Sequence, residues 1–178
     1  MLYKLDIDQR GVATVTLNRP ELHNAFNDEL IRDLIVCFND LENNSGVRLV
    51  VLTGEGKSFC AGADLNWMKR MKDYTHEENV KDSQKLAELF TVINRFSRPI
   101  IGKINGSALG GGAGLVACCD YVVAVDSATI AFTEVRLGLL PAVISPFVIA
   151  KIGESHARAS FLSGAKISMS RAFVMGLV

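Results

Sequence analysis

Gly106-Ser107-Ala108-Leu109-Gly110-Gly111-Gly112-Ala113-Gly114 is the stretch on which the fold turns. Just upstream, Pro99 forces an extended chain and the apolar run Ile100–Ile104 has the character of a strand. Just downstream, Leu115 to Cys118 continue as an apolar helix. A strand, a glycine-rich turn and a helix in this order make a crossover unit, and the pattern recurs outward in both directions. Residues 48–53 form a buried-strand run ended by Gly54 and Gly56, and a helix is expected over 77–96 with Val80, Leu86, Leu89, Phe90 and Ile93 on its apolar side. Residues 121–125 and 129–132 give two further short strands, and helical spacing resumes after Ser145 through Ile149, Ile152, Ala159 and Phe161. Towards the start, Val12–Leu17 alternates as a strand, and Asn27 is placed to cap a helix carrying Leu30, Leu34, Ile35, Phe38 and Leu41. The expectation is an α/β chain forming one domain over residues 1–178.

Composition bounds the function. The chain has 178 residues, 49% of them apolar and 21% charged, an ordinary globular mixture. Nineteen basic residues balance nineteen acidic ones, which gives no drive towards nucleic acid or an anionic membrane surface. The opening Met1-Leu2-Tyr3-Lys4-Leu5-Asp6 lacks a cationic and then apolar leader, and no apolar run is long enough for a spanning helix. Cys37, Cys60, Cys118 and Cys119 offer no pairing framework, and the adjacency of the last two suits reduced thiols, so a cytoplasmic location is expected. Gly176-Leu177-Val178 ends directly after a periodic segment, as if a strand had been cut at its start.

The chemistry is concentrated in two loops. In the glycine run, bare N–H groups at a helix start favour an anion or a developing oxyanion, although a tight turn with close packing needs the same glycines. Ser58-Phe59-Cys60-Ala61-Gly62-Ala63-Asp64-Leu65 is a second small-residue loop after a strand, followed by a short helix through Asn66 to Arg70, and the two loops can converge on one carbonyl oxygen. Asp64 by itself is most simply that helix's cap. A competing pattern, Gly112-Ala113-Gly114-Leu115-Val116-Ala117 with Glu134 twenty residues past Gly114, matches a dinucleotide fingerprint, but Asn105 to Gly111 separate it from the strand. His23, His76 and His156 are too scattered for a metal site, and no histidine is placed to activate Cys60. Trp67 and Met68 are candidates for a pocket wall or for packing, and Lys69, Arg70 and Lys72 for phosphate contacts or an ordinary basic face.

Leu17-Asn18-Arg19-Pro20 with Asn24-Ala25, Phe59 to Leu65, Asn105 to Gly112, Cys119-Asp120 and the run Glu134 to Pro141 together resemble the crotonase (enoyl-CoA hydratase/isomerase) superfamily across nearly the whole chain. The resemblance implies a spiral of stacked ββα units with flanking helices, assembly as a trimer or dimer of trimers, and a C-terminal helical part beyond Val178. It also implies an acyl-CoA thioester substrate, with coenzyme A entering only as part of that substrate and no permanently bound cofactor. By position, the N–H groups of Ala63 and Gly111 form the oxyanion hole, Ala61, Ala63, Asp64 and Leu65 line the adenine pocket, and Glu134 is the acid/base. Apolar neighbours Phe132, Val135 and Leu137 would bury that carboxyl and raise its pKa. The run from Thr133 to Pro146 is most similar to methylglutaconyl-CoA hydratase-like members, for which Arg136 would meet a second carboxylate; a salt bridge at a subunit surface is its simpler role. One departure matters: Gly114 stands where two-acid hydratases carry their other glutamate. Taken alone, that departure points to a one-carboxylate double-bond isomerase. The resemblance implies, however, that the methylglutaconyl-like members share glycine here, so hydration on Glu134 is expected, with the water held partly by backbone or by the substrate. The isomerase and a weakly active acyl-CoA-binding scaffold are the alternatives.

Overall fold

The computed structural model describes residues 1–178. β1 (Tyr3–Ile7) pairs antiparallel with β2 (Val12–Leu17), whose Ala13, Val15 and Leu17 are fully buried while the residues between them are half covered. α1 (Asp28–Asn43) begins at Asn27, whose side chain accepts from Leu30 N at 3.0 Å, and its five expected apolar positions all face the core.

The chain then winds in three turns. β3 (Leu49–Gly54), β4 (Ser58–Cys60), α2 (Leu65–Arg70) and α3 (His76–Asn94) make the first. β5 (Ile100–Ile104), β6 (Ser107–Leu109) and α4 (Gly111–Cys118) make the second. β7 (Tyr121–Ala124), β8 (Thr129–Ala131), a 3-10 turn at Glu134–Leu137 and α5 (Ser145–Ser163) make the third, followed by β9 (Ile167–Ser168) and α6 (Met169–Val174). The first strand of each turn joins a five-stranded sheet of order β1-β2-β3-β5-β7, and the second joins a four-stranded sheet of order β4-β6-β8-β9. Pairing between successive turns is parallel in both sheets, which is why helices must return the chain each time. This is the expected spiral of stacked ββα units. One cluster of 42 buried apolar residues draws on every turn, so the sheets and helices share a single core. No helix is long and apolar enough to cross a membrane.

Several details differ from the sequence expectation. β4 and β6 lie inside the two runs taken as loops; three residues are too few to show a period, and β6 is held by pairing to β4 and β8. α4 starts at Gly111 rather than after the glycines. Val80 is exposed, because α3 meets the core only from its middle onward, through Leu89, Phe90 and Ile93. α5 breaks at Gly153 (φ +75°), so its two halves bury different faces: Val148 and Ile152 in the first, Ala157 and Ser160 in the second, with Ile149 and Ala159 left outside.

Candidate active site

The loop after β4 is held by backbone hydrogen bonds to the segment 23–26. Ala61 N donates to His23 O at 2.9 Å, Phe26 N donates to Gly62 O at 2.8 Å, and Asp64 N donates to Phe26 O at 2.9 Å. Phe26 therefore bridges Ala63 in parallel, and the N–H of Ala63 projects from the opposite side, where Ala63 lines a cavity. Arg19 and Asn24 explain why this loop keeps its shape. Asn24 Nδ2 donates to Glu55 O and Ser58 O at 2.9 and 2.8 Å, and Arg19 reaches Ala25 O with one nitrogen and Asp64 Oδ2 at 2.8 Å with the other.

That geometry relocates Asp64. Its carboxylate caps α2 by accepting from Asn66 N at 2.7 Å and pairs with Arg19, so it lies outside the cavity lining rather than on a ligand surface. Burial pushes its pKa up, but Arg19 and the amides of Asn66 and Trp67 outweigh that and hold it below the usual carboxylate range. Ala61, Ala63, Leu65, Gly111, Glu134 and Arg136 do line one cavity of about 510 Å³.

The glycine run supplies the facing wall. Gly110 sits at φ +52°, which favours glycine, and its N–H donates to Ala131 O at 2.8 Å. The turn this creates makes Gly111 the first residue of α4, so its N–H has no carbonyl a helical turn behind it within the helix. The two loops touch, since a Cβ placed on Gly62 would lie 3.3 Å from Gly111 N. The third turn of the spiral brings the carboxyl. A Cβ on Gly110 would lie 3.4 Å from Glu134 Oε1 and 3.3 Å from Thr133 Oγ1, and Glu134 Oε2 is buried with no hydrogen-bond partner. Burial pushes the Glu134 pKa above its usual value.

Gly114 is closed as a position for a side chain. A Cβ there would overlap Ile144 Cγ2 and come within 3.0 Å of Phe90 Cε1. Gly112 packs as tightly on Cys60 O. These contacts overturn the dinucleotide alternative, because its glycines must leave room for a pyrophosphate and here they sit buried inside α4. Cys60 is fully buried, and burial pushes its thiol up to about 12. All four cysteines are free and buried, and no group of three or more His, Cys, Asp or Glu side chains is placed to hold a metal ion.

Sequence reasoning missed most of the wall. Phe26, Met71, Leu86, Leu139, Leu140 and Val143 line the cavity from four separate segments, and nothing local marks them. Trp67 and Met68 do line it, with Trp67 Nε1 donating to Asp82 Oδ2 at 3.3 Å to tie α2 to α3. Arg70 pairs with Asp28 at 3.1 Å, and Arg136 has no carboxylate partner.

A spiral of ββα turns thus sets two loop amides and one carboxyl, with a buried oxygen, around a largely apolar cavity, the architecture of an α/β fold of the crotonase type. Residues 8–178 match the enoyl-CoA hydratase/isomerase family, and the chain belongs to it. It is 38% identical over 174 residues to a Thermus thermophilus protein provisionally named an enoyl-CoA hydratase, covering 98% of this chain and 69% of that one. It is 37% identical to the 2,3-dehydroadipyl-CoA hydratase of Escherichia coli, over 96% of this chain and 65% of the relative. Among solved structures, one from Legionella pneumophila, provisionally named an enoyl-CoA hydratase/isomerase (crotonase), superposes with a TM-score of 0.96 at 42% identity over 99% of this chain and 68% of its own. Across the curated relatives compared, the chain spans 56% to 69% of their length.

Proposed function

We propose that this chain adds water to the double bond of a 2-enoyl-CoA thioester, working as one domain over residues 1–178. The observation that carries the reading is Glu134, half-buried with its Oε2 shut off from water and without a hydrogen-bond partner, beside Gly110 in a cavity also lined by Ala63 and Gly111. Attack at the β-carbon moves the double-bond electrons onto the thioester oxygen. The N–H groups of Ala63 and Gly111 receive that charge, and preorganised donors of this kind stabilise the enolate more than the ground state. Glu134 takes a proton from water and returns one to the α-carbon, a task helped by a pKa raised towards the working pH.

The apolar wall accepts the acyl chain. Arg136, lacking a carboxylate of its own, is the group on that wall suited to a second carboxylate at the end of the chain, as on methylglutaconyl-CoA; the likeness to a 2,3-dehydroadipyl-CoA hydratase supports the same substrate class. Ala61 and Leu65 would face the adenosine end of the substrate. A second reading has one observation in its favour. Gly114 leaves a single carboxylate, which is enough to shift a double bond between two carbons.

Product mass after incubation with crotonyl-CoA, methylglutaconyl-CoA and a 3-enoyl-CoA separates these. The expected result is a gain of one water on the 2-enoyl substrates, with a lower KM for methylglutaconyl-CoA than for crotonyl-CoA. A product of unchanged mass with a moved double bond would make the chain an isomerase. Binding without either product would leave an acyl-CoA scaffold.

A further inference from the structure

With the position of a second acid closed, something else must orient the attacking water. Ile144 and Phe90 occupy the space a side chain at Gly114 would need, so no second carboxylate can enter the site from α4. The polar side chains on the cavity wall that could hold a water near Glu134 are then few: Ser83, Thr133 and Arg136. Thr133 Oγ1 and Glu134 Oε1 both border the small space over Gly110, at 3.3 and 3.4 Å from the point a Cβ there would occupy. Although Thr133 stands at the start of the 3-10 turn Glu134–Leu137, its side chain makes no capping hydrogen bond, so the hydroxyl is available. Gly110 has a second reason to be glycine, because a methyl group there would fill that space.

We propose that Thr133 positions the water that Glu134 activates, in place of the absent second glutamate. This rests on the hydratase reading above. The water donates one hydrogen bond to Glu134 Oε1 and the other to Thr133 Oγ1, which leaves an oxygen lone pair directed at the β-carbon. As the carbon–oxygen bond forms, the proton facing Glu134 passes to its carboxylate and the double-bond pair moves to the thioester oxygen. Glu134 then gives that proton to the α-carbon and the carbonyl reforms. The elements of one water are added, and no other reactant is consumed.

Thr133→Val keeps the shape and removes the hydroxyl, whereas Thr133→Ser keeps the hydroxyl. Two reactions are followed in each variant: hydration of crotonyl-CoA, and exchange of the α-protons of a saturated acyl-CoA in heavy water, which needs Glu134 and the amides but no nucleophilic water. The Val variant should lose on the order of a hundredfold in hydration kcat, with KM within about twofold and α-proton exchange at the wild-type rate. The Ser variant should recover most of the hydration rate. Hydration by Thr133→Val at the wild-type rate, or a Ser variant as slow as the Val variant, would overturn the role of the hydroxyl while leaving the hydratase reading in place. A wild-type chain that exchanges α-protons but hydrates nothing would overturn both, and exchange lost together with hydration in the Val variant would mark damage to the site rather than a misplaced water.

Discussion

Glu134 sits where its charged form is least welcome, with one carboxyl oxygen out of contact with water and unanswered by any donor. Its pKa in the fold lies above the usual value of 4.5, so the folded chain binds this proton more tightly than the unfolded chain does. Stability contributed by this group is therefore full below the unfolded pKa and is lost as pH rises through the folded one. Glu134→Gln removes that pH dependence. The variant should melt at a higher temperature than the wild type near neutral pH, and the difference should shrink in acid; a difference that is flat across this range would mean the carboxyl is solvated. Asp64 has the opposite environment, since Arg19 and two backbone amides stabilise its charge. One carboxyl is tied into the fold by its partners, and the other lines the cavity with one oxygen unpartnered.

Among the elements, α4 leaves no room for a side chain at Gly114. Helix propensity alone makes Ala better than Gly inside a helix by about 1 kcal/mol. Gly114 is buried against Ile144 and Phe90, and forcing extra volume into a packed core costs about 1–3 kcal/mol. The packing term is the larger, so Gly114→Ala should lower stability in a urea melt; a stabilised variant would show that Ile144 yields easily. The sequence carried the longer elements well, because alternation in β2, helical spacing in α1 and Pro99 before β5 are local signals. It concealed β4 and β6, whose three residues are strands only through their partners in neighbouring turns. Asp64 was legible as a cap from its place before a helix, while its pairing with Arg19, 45 positions away, was not. Thr133 and the closure of Gly114 were hidden for the same reason, since both depend on contacts between turns of the spiral.

At the scale of the whole molecule, each turn of the spiral delivers one group to the cavity. The first carries Ala63 after β4, the second carries Gly111 after β6, and the third carries Glu134 after β8. The four-stranded sheet sets these three strand ends side by side through parallel pairing, so the site is a consequence of the winding rather than of any single motif. The family resemblance in the sequence named these three residues, and the folded chain brings them to one cavity. Turnover of crotonyl-CoA by Glu134→Gln, measured beside its affinity for a saturated acyl-CoA, tests that convergence most directly. Turnover should fall on the order of a thousandfold, because an amide keeps the shape but cannot carry the proton, while affinity stays within about threefold. A variant that turns over at the wild-type rate would place the acid/base elsewhere and contradict the account.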